Sequence, residues 1–223
     1  MTPDPDPRRP YDTSGRRAAA ERSRGAVLRA CRELLEQDGY RATTVRAVAE
    51  RAGVSAETVY KAFGGKQQLM KAVYDVALAG DDEPVPIGRR PAVRRILATP
   101  DPAEKLTLYA AFVCDLYQRL GGLLAVLGAA DPELAELRAV TEQERLLGLV
   151  AFVEHLAEEG VLRPGLDPSR AADACWALTS PQLFAQLTVA RNWEPEEYRR
   201  WLADTLSASL LRAPTGPEDL TEP

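Results

Sequence analysis

Apolar residues recur every three or four positions along most of the chain, which is the spacing of one face of an α-helix. The first stripe consists of Val27, Ala30, Cys31, Leu34 and Leu35. Shorter stripes follow within residues 43–52, 55–63 and 66–77, and glycines separate them. No segment alternates apolar and polar residues with the two-residue period of a strand. The pattern therefore predicts an all-α fold of about nine helices.

A break at residues 80–91, which holds three prolines and two glycines, divides the helical stripes into two groups. The stripes after the break lie within residues 104–120, 132–159, 168–189 and 195–211. Pro181 falls inside one of them and predicts a kink there. The glycines at 121, 122 and 128 predict a bent or shortened helix.

Both ends of the chain lack helical periodicity. Residues 1–20 are rich in proline, aspartate and arginine, and we predict a disordered arm there and a disordered tail at 213–223. Between these ends, the stripes predict a small helical domain at 21–66 and a larger helical body at 67–212.

Charge is distributed unequally between the two groups of helices. The chain has a net charge of −5, but residues 1–80 hold 14 basic against 10 acidic side chains, and the remainder holds 14 against 23. A basic N-terminal part predicts contact with a polyanion, which the acidic body does not make. The longest apolar run, at 120–130, is shorter than the roughly 20 residues of a membrane span. The N-terminus lacks the apolar core of a signal peptide, so we expect a cytoplasmic protein that does not enter a membrane.

Cysteine and histidine offer little for catalysis or metal binding. Cys31, Cys114 and Cys175 are far apart in the sequence, which predicts buried thiols in a reducing compartment and neither a disulfide framework nor a zinc site. His155 is the single histidine, and its acidic neighbours Glu154, Glu158 and Glu159 suggest a solvated helix face. We expect no catalytic residue, no metal and no cofactor, since no second histidine or nucleophile motif accompanies it.

Residues 43–63 fit two short helices joined by a tight turn, and the second of these helices can lie in the major groove of DNA. Thr43 and Ser55 can cap the two helices, and Gly53 can adopt the positive φ that the turn needs. Val59 and Phe63 are predicted to pack inward. The outward set predicted to contact DNA is Ala56, Glu57, Thr58, Tyr60 and Lys61, with Lys66 beside it. The alternative is that this face is only solvated.

The ordered stretch G-Y-R-A-T-T-V-R-A-V-A-E-R-A-G-V-S-A-E-T-V-Y-K-A-F-G-G-K at residues 39–66 resembles the N-terminal domain of TetR-family transcriptional regulators. The resemblance extends over about residues 22–76. It implies DNA-backbone contacts from Thr44, Thr58, Tyr60 and Lys66, base contacts from Ala56, Glu57 and Lys61, and places Ser55 in the same surface. Ala62 and Gly65 depart from the family pattern, which usually has a larger polar or aromatic residue at the position of Ala62 and a polar residue at that of Gly65.

The resemblance weakens after about residue 80, where it implies a helical domain that binds a small molecule and forms a homodimer. The residues that we expect to line the effector site are Tyr109, Phe112, Val113, Leu116, Tyr117, Phe152, His155, Trp176 and Phe184. The residues that we expect in the dimer interface are Leu183, Leu187, Tyr198, Trp201, Leu202 and Leu206. For each of these residues the alternative is ordinary core packing. Since few lysines or arginines lie in these helices, a mostly apolar ligand fits better than a multiply charged one.

These observations predict a ligand-responsive repressor that binds a palindromic operator as a dimer. One alternative is a DNA-binding regulator whose body receives a protein partner or has no small-molecule effector, and a helical enzyme is a more distant one. Arg16, Arg17, Arg22 and Arg24 of the arm can enter the minor groove or lie on phosphates. The arm can equally be a mobile solubilising tail.

Overall fold

The computed structural model describes residues 13–129 and 131–212 of the chain. These residues form eleven α-helices: α1 (Thr13–Ala42), α2 (Val45–Ala52), α3 (Ala56–Phe63), α4 (Lys66–Ala79), α5 (Pro91–Ala98), α6 (Pro102–Leu120), α7 (Gly122–Gly128), α8 (Ala135–Glu158), α9 (Pro168–Leu178), α10 (Pro181–Ala185) and α11 (Pro195–Leu210). A single turn of π-helix, Gln186–Ala190, continues α10. Within the described ranges no strand forms beyond one isolated bridge between Leu162 and Leu211. The all-α prediction is confirmed.

The helix boundaries differ from the predicted ones in three places. Helix α1 begins at Thr13, so residues 13–20, which the sequence assigned to the arm, form helical turns; residues 1–12 and the predicted tail lie outside the described part of the chain. Helix α5 was not predicted, because its eight residues carry only a short apolar stripe. Where we predicted a kink, the chain leaves the helix completely, and Ser180 caps a new helix that has Pro181 at its first position.

The chain divides into two compact units, Met1–Val73 and Tyr74–Pro223, with the border inside α4 and not at residue 66. In the N-terminal unit, α1 packs against α2 and α2 packs against α3. All five residues of the first apolar stripe are buried there. Val48 of α2 and Val59 of α3 are fully buried, so both short helices contribute to the same core. This core fixes the orientation of α3.

The C-terminal unit is built around α6, which packs along α11, and a second pair is formed by α8 and α9. Gly121 separates α6 from α7 with a φ of 48°. Because a side chain is strained at such a positive φ, glycine permits the sharp change of direction there. The two helices are bent by 80°, which confirms the predicted effect of the glycines. No single helix among the described residues has the length and apolarity to cross a membrane, and only this bent pair, taken together, meets both criteria.

The three cysteines all lie in described helices, where they are buried and unpaired as predicted. Burial in apolar surroundings raises the pKa of the Cys31 and Cys175 thiols to about 12. Both thiols therefore remain protonated at neutral pH and pack as small apolar side chains.

Candidate DNA-binding surface and helical body

The turn between α2 and α3 is held by backbone hydrogen bonds. Gly53 adopts a φ of 68°, and its N–H donates to the carbonyl of Glu50 at 3.2 Å. The Val54 N–H donates to the Ala49 carbonyl at 3.0 Å. Any residue with a Cβ would be strained at the φ of Gly53, which explains why glycine stands at the turn.

Two hydroxyl groups cap the short helices. The Thr44 hydroxyl accepts from the Ala47 N–H at 3.1 Å, so Thr44 and not Thr43 is the cap of α2. Thr43 is buried and donates its hydroxyl to the Gly39 carbonyl. Ser55 caps α3 as predicted, because its hydroxyl accepts from the Thr58 N–H at 3.1 Å. These caps satisfy N–H groups at the beginnings of helices that are too short to be stable alone.

The outward face of α3 is formed by Glu57, Tyr60 and Lys61, which are exposed. Tyr60 is 56% exposed, which is unusual for an aromatic side chain that only packs within its own domain. Ala56 is half-buried and presents less surface than predicted. The Thr58 hydroxyl lies 2.8 Å from the Ser55 hydroxyl, so these two predicted contact residues form one hydrogen-bonded pair at the surface.

Two cations lie against aromatic rings in the same unit. The Lys66 ammonium is 3.9 Å from the centroid of the Tyr40 ring, and the Arg24 guanidinium is 4.6 Å from that of Phe63. Phe63 is half-buried at the end of α3. The motif predicted that Lys66 contacts DNA. The sequence did not reveal either ring contact, because the residues of the two pairs are 26 and 39 positions apart.

Comparisons with known proteins agree with this geometry. Residues 27–73 match the family described as "Bacterial regulatory proteins, tetR family". Over 47 residues the chain is 45% identical to the uncharacterized HTH-type transcriptional regulator YvkB of Bacillus subtilis (strain 168). Residues 27–73 are therefore similar to the N-terminal domain of TetR-family regulators. The aligned part is 21% of this chain and spans about a quarter of the curated relative, so that relative informs only the DNA-binding domain.

Several solved structures share the fold over most of the chain. NalD, the secondary repressor of the MexAB-OprM multidrug efflux pump in Pseudomonas aeruginosa, superposes with a TM-score of 0.67 at 23% identity, and 87% of this chain covers 98% of NalD. A TetR-family protein from Rhodococcus sp. gives a TM-score of 0.66 at 19% identity, over 85% of this chain and 99% of that one. The complex of SmeT with triclosan superposes with a TM-score of 0.64 at 19% identity, and the match covers 90% of this chain and 98% of SmeT. At these identities the likeness establishes the fold of the body and nothing about its ligand.

Within residues 13–129 and 131–212, no group of three or more histidine, cysteine or acidic side chains is placed to hold a metal ion. In the body, the sequence predicted two sets of residues, one for an organic ligand and one for a second copy of the chain.

Most of the aromatic residues predicted to line the effector site fall into two clusters. Tyr109 stacks on Phe152 with ring centroids 4.2 Å apart, and Phe112 lies 6.4 Å from Tyr109. In the second cluster, the ring centroids of Tyr117 and Phe184 are 5.3 Å apart. The adjoining α6 residues are Val113, which is buried, and Leu116, which is half-buried.

Tyr117, Phe152 and Phe184 are buried, whereas Tyr109 and Phe112 are half-buried. Burial raises the pKa of the Tyr109 and Tyr117 hydroxyls well above the ordinary value, so both remain neutral. The Tyr117 hydroxyl donates a hydrogen bond to the carbonyl of Thr179. These clusters supply mainly apolar ring surface with few polar groups.

His155 is half-buried, and its neighbours Glu154, Glu158 and Glu159 are exposed, but its ring also reaches a buried charge that the sequence did not indicate. Its Nε2 lies 2.9 Å from the Nζ of Lys105 and 3.2 Å from a carboxylate oxygen of Glu159. Lys105 is fully buried and also forms an ion pair with Glu159. A carboxylate beside a buried ammonium offsets part of the cost of removing that charge from water. The sequence shows His155 and Glu159 four positions apart on one helix, but not their partner on α6.

Trp176 is separate from both aromatic clusters. Its side chain is 41% exposed, and its Nε1 donates to a carboxylate oxygen of Glu142 at 3.2 Å. The Arg145 guanidinium lies 5.0 Å from the Trp176 ring and pairs with Glu142 at 2.8 Å. Together with Lys105, Arg145 shows that the body contains more partly or fully buried positive charge than its few basic residues suggested.

Half of the predicted dimer interface is part of the core of the chain itself. Tyr198, Leu202 and Leu206 are fully buried within one chain, on the face of α11 that packs against the rest of its unit. They cannot also contact a second copy. Leu183, Leu187 and Trp201 remain half-buried and keep some surface for a partner. The error arises because an apolar stripe on a helix looks the same whether it faces its own core or a partner.

Proposed function

We propose that this protein is a TetR-family repressor that binds a palindromic operator as a dimer and is released by a small, mostly apolar effector. The observation that carries the proposal is the exposed pair Tyr60 and Lys61 on α3, a helix held rigidly by its caps and by the buried Val59. An exposed phenol beside an ammonium offers a hydrogen-bonding group and a charge for DNA phosphates and base edges.

The proposed DNA contacts fall into two groups, those to backbone phosphates and those to bases. Tyr60 and Lys66, with the Thr44 and Thr58 hydroxyls, are suited to backbone phosphates, which fix the register of the protein on the duplex. Lys61 can donate to guanine, and Glu57 can accept from a cytosine amino group. Ala56, which is half-buried, contributes at most an apolar contact to a thymine methyl group.

One recognition helix of eight residues contacts too few bases to specify a site, so two copies are needed. Two such helices about one DNA turn apart read both halves of a palindrome. We infer that the dimer forms through Leu183, Leu187 and Trp201, together with Val189. Val189 is 73% exposed in the π-helical turn that follows α10, and exposed apolar side chains of this size favour contact with a partner.

We expect Val189→Asp to convert the dimer into a monomer, because it places a charge in a surface that would otherwise be desolvated. Light scattering coupled to size-exclusion chromatography measures the mass. Leu147→Asp is the matched control, since Leu147 is an apolar residue that is 59% exposed on the separate helix α8. If Val189→Asp stays dimeric while Leu147→Asp becomes monomeric, the interface lies on α8.

The effector site is proposed at the two aromatic clusters, and the likeness to SmeT, whose structure contains triclosan, supports an apolar aromatic compound. NalD is the repressor of a multidrug efflux pump, which favours repression over activation. Helix α4 contains the border between the two compact units, so it is the continuous element through which an effector can act on α3. An effector acts only through its different affinities for the DNA-binding and released states.

Selection from a randomised DNA pool with the purified protein tests this function. We expect an inverted repeat whose half-sites are centred about one helical turn apart, and a compound that raises the melting temperature of the protein should weaken its binding to that DNA. Selection of DNA that contains only a single half-site would contradict binding of the operator as a dimer. A compound that binds tightly without releasing DNA would favour the alternative, in which the body receives a protein partner or has no small-molecule effector.

A further inference from the structure

Tyr198 of α11 carries a hydroxyl group in the interior of the helical body. Its side chain is fully buried. The hydroxyl makes no hydrogen bond with any residue of the described ranges, 13–129 and 131–212. Leaving a buried polar group unpaired is costly, and nearly all such groups in native proteins have a partner. A ligand that pairs with this hydroxyl would remove the cost.

The ring of Tyr198 belongs to the second aromatic cluster. It meets the Phe184 ring edge-on, with ring centroids 5.0 Å apart and an angle of 87° between the ring planes. Phe184 in turn packs against Tyr117, and the Trp201 ring lies 5.9 Å from that of Tyr198. Apolar walls with a few polar groups that orient the ligand are the usual composition of a small-molecule site. An unpaired hydroxyl among these rings fits that composition.

The Tyr198 hydroxyl is also near the hydroxyls of two residues predicted to line the effector site. Burial is the main reason why the pKa of Tyr109 and of Tyr117 is raised, and the Tyr198 phenol adds a smaller increase to both. Such an interaction requires the groups to be close together. The Tyr117 hydroxyl already donates to the Thr179 carbonyl, whereas that of Tyr198 is unpaired. Tyr198 therefore lies with residues of both aromatic clusters and has a hydrogen bond to offer.

The chemistry of this hydroxyl defines its partner. Burial raises the pKa of Tyr198 above its ordinary value, so the group remains protonated and can donate. The matching group on a ligand is an acceptor. A carboxylate would lose its hydration among these rings at a high cost, whereas a neutral carbonyl oxygen loses much less.

We propose that Tyr198 anchors the effector by donating its hydroxyl to a neutral acceptor oxygen, such as the carbonyl oxygen of an aromatic ketone. This inference deepens the proposed effector site and rests on it. The competing role of the hydroxyl is structural, in which it binds a buried water and takes no part in ligand binding. The two roles differ in whether removal of the hydroxyl weakens only those ligands that carry an acceptor.

Matched pairs of compounds separate these roles. The panel contains acetophenone, 2-acetylnaphthalene and 4-acetylbiphenyl, each beside the hydrocarbon in which a methylene group replaces the carbonyl oxygen. The two members of a pair have nearly the same shape, but only the ketone accepts a hydrogen bond. The full chain is compared with its Tyr198→Phe and Tyr117→Phe variants. Equilibrium dialysis measures the dissociation constants, and the melting temperature of each protein is recorded without ligand.

We expect Tyr198→Phe to bind the ketones about 3- to 10-fold more weakly than the parent does, and the hydrocarbons equally well, because it lacks one neutral hydrogen bond. The melting temperature of the ligand-free variant should stay the same or rise, since an unpaired polar group has left the interior. Tyr117→Phe is the matched control, because its hydroxyl is already paired. It should lower the melting temperature and leave the ratio of ketone to hydrocarbon affinity at the value of the parent.

The infrared carbonyl stretch of a bound ketone provides a second measurement, which needs no variant. A hydrogen bond lowers this frequency relative to that of the ketone in an apolar solvent, and we expect a lowered frequency in the parent. An unshifted frequency would overturn the proposal even if Tyr198→Phe does not fold.

Equal losses for ketones and hydrocarbons in Tyr198→Phe would also overturn the proposal, and so would no loss for either. A lower melting temperature with unchanged ketone affinity would assign the hydroxyl to a buried water. In each of these cases the proposed effector site still stands, because the compounds bind. If no compound of the panel binds the parent, the proposed aromatic effector site fails, and the role of Tyr198 fails with it.

Discussion

Replacing Tyr60 and Lys61 together with alanine is expected to lower the affinity for the selected operator by about 100-fold or more. Each lost contact to a base or phosphate costs about 1–3 kcal/mol, and a dimer loses it at both half-sites. The fold should be unchanged, because both side chains are exposed and neither contributes to the buried core. Fluorescence anisotropy with labelled DNA measures the affinity, and circular dichroism checks the helix content.

Arg170→Ala provides the control for charge. Arg170 lies in α9, its side chain is 79% exposed, and its removal takes one positive charge from the body without touching α3. It should change the affinity by no more than about twofold. Unaltered operator binding by a folded Tyr60→Ala/Lys61→Ala protein would show that α3 is not the recognition helix.

Changing Glu159 to glutamine is expected to destabilise the body by about 2–3 kcal/mol. The fully buried Lys105 ammonium would lose its carboxylate partner and retain only the neutral amide and His155. Breaking a buried ion pair by removing one partner costs about 3–5 kcal/mol, and the value here should be lower because a third of the Glu159 side chain is exposed. Urea unfolding followed by circular dichroism measures the change.

Two further variants test whether the loss of stability comes from the unpaired Lys105 ammonium. Lys105→Met combined with Glu159→Gln should recover most of the lost stability, since an unbranched apolar side chain then occupies the buried space without a charge. Glu158→Gln removes the same charge from the adjacent, exposed position and should cost less than about 0.5 kcal/mol. A cost at Glu159 as small as that at Glu158 would mean that the buried ammonium does not depend on its carboxylate.

Much of the DNA-binding surface could be predicted because its determinants are close together in the sequence. The cap at Ser55 acts within three residues, and the φ of Gly53 is a property of one residue, so both were predicted correctly, whereas the cap of α2 is Thr44 and not the predicted Thr43. Spacing alone showed that Val59 would be buried and that Tyr60 and Lys61 would be exposed. What the sequence missed in this unit were the rings beneath Lys66 and Arg24, which belong to other helices.

In the body, the sequence by itself determined that the chain is helical and that Tyr109 and Tyr117 lie on one helix. It also showed where glycines would bend the chain between α6 and α7. Only the tertiary structure decided that Tyr198 and Leu202 face their own core and that Lys105 meets His155, 50 positions away. Periodicity reports which side of a helix avoids water. It does not report what covers that side, because the covering surface comes from distant parts of the chain and is chosen by packing.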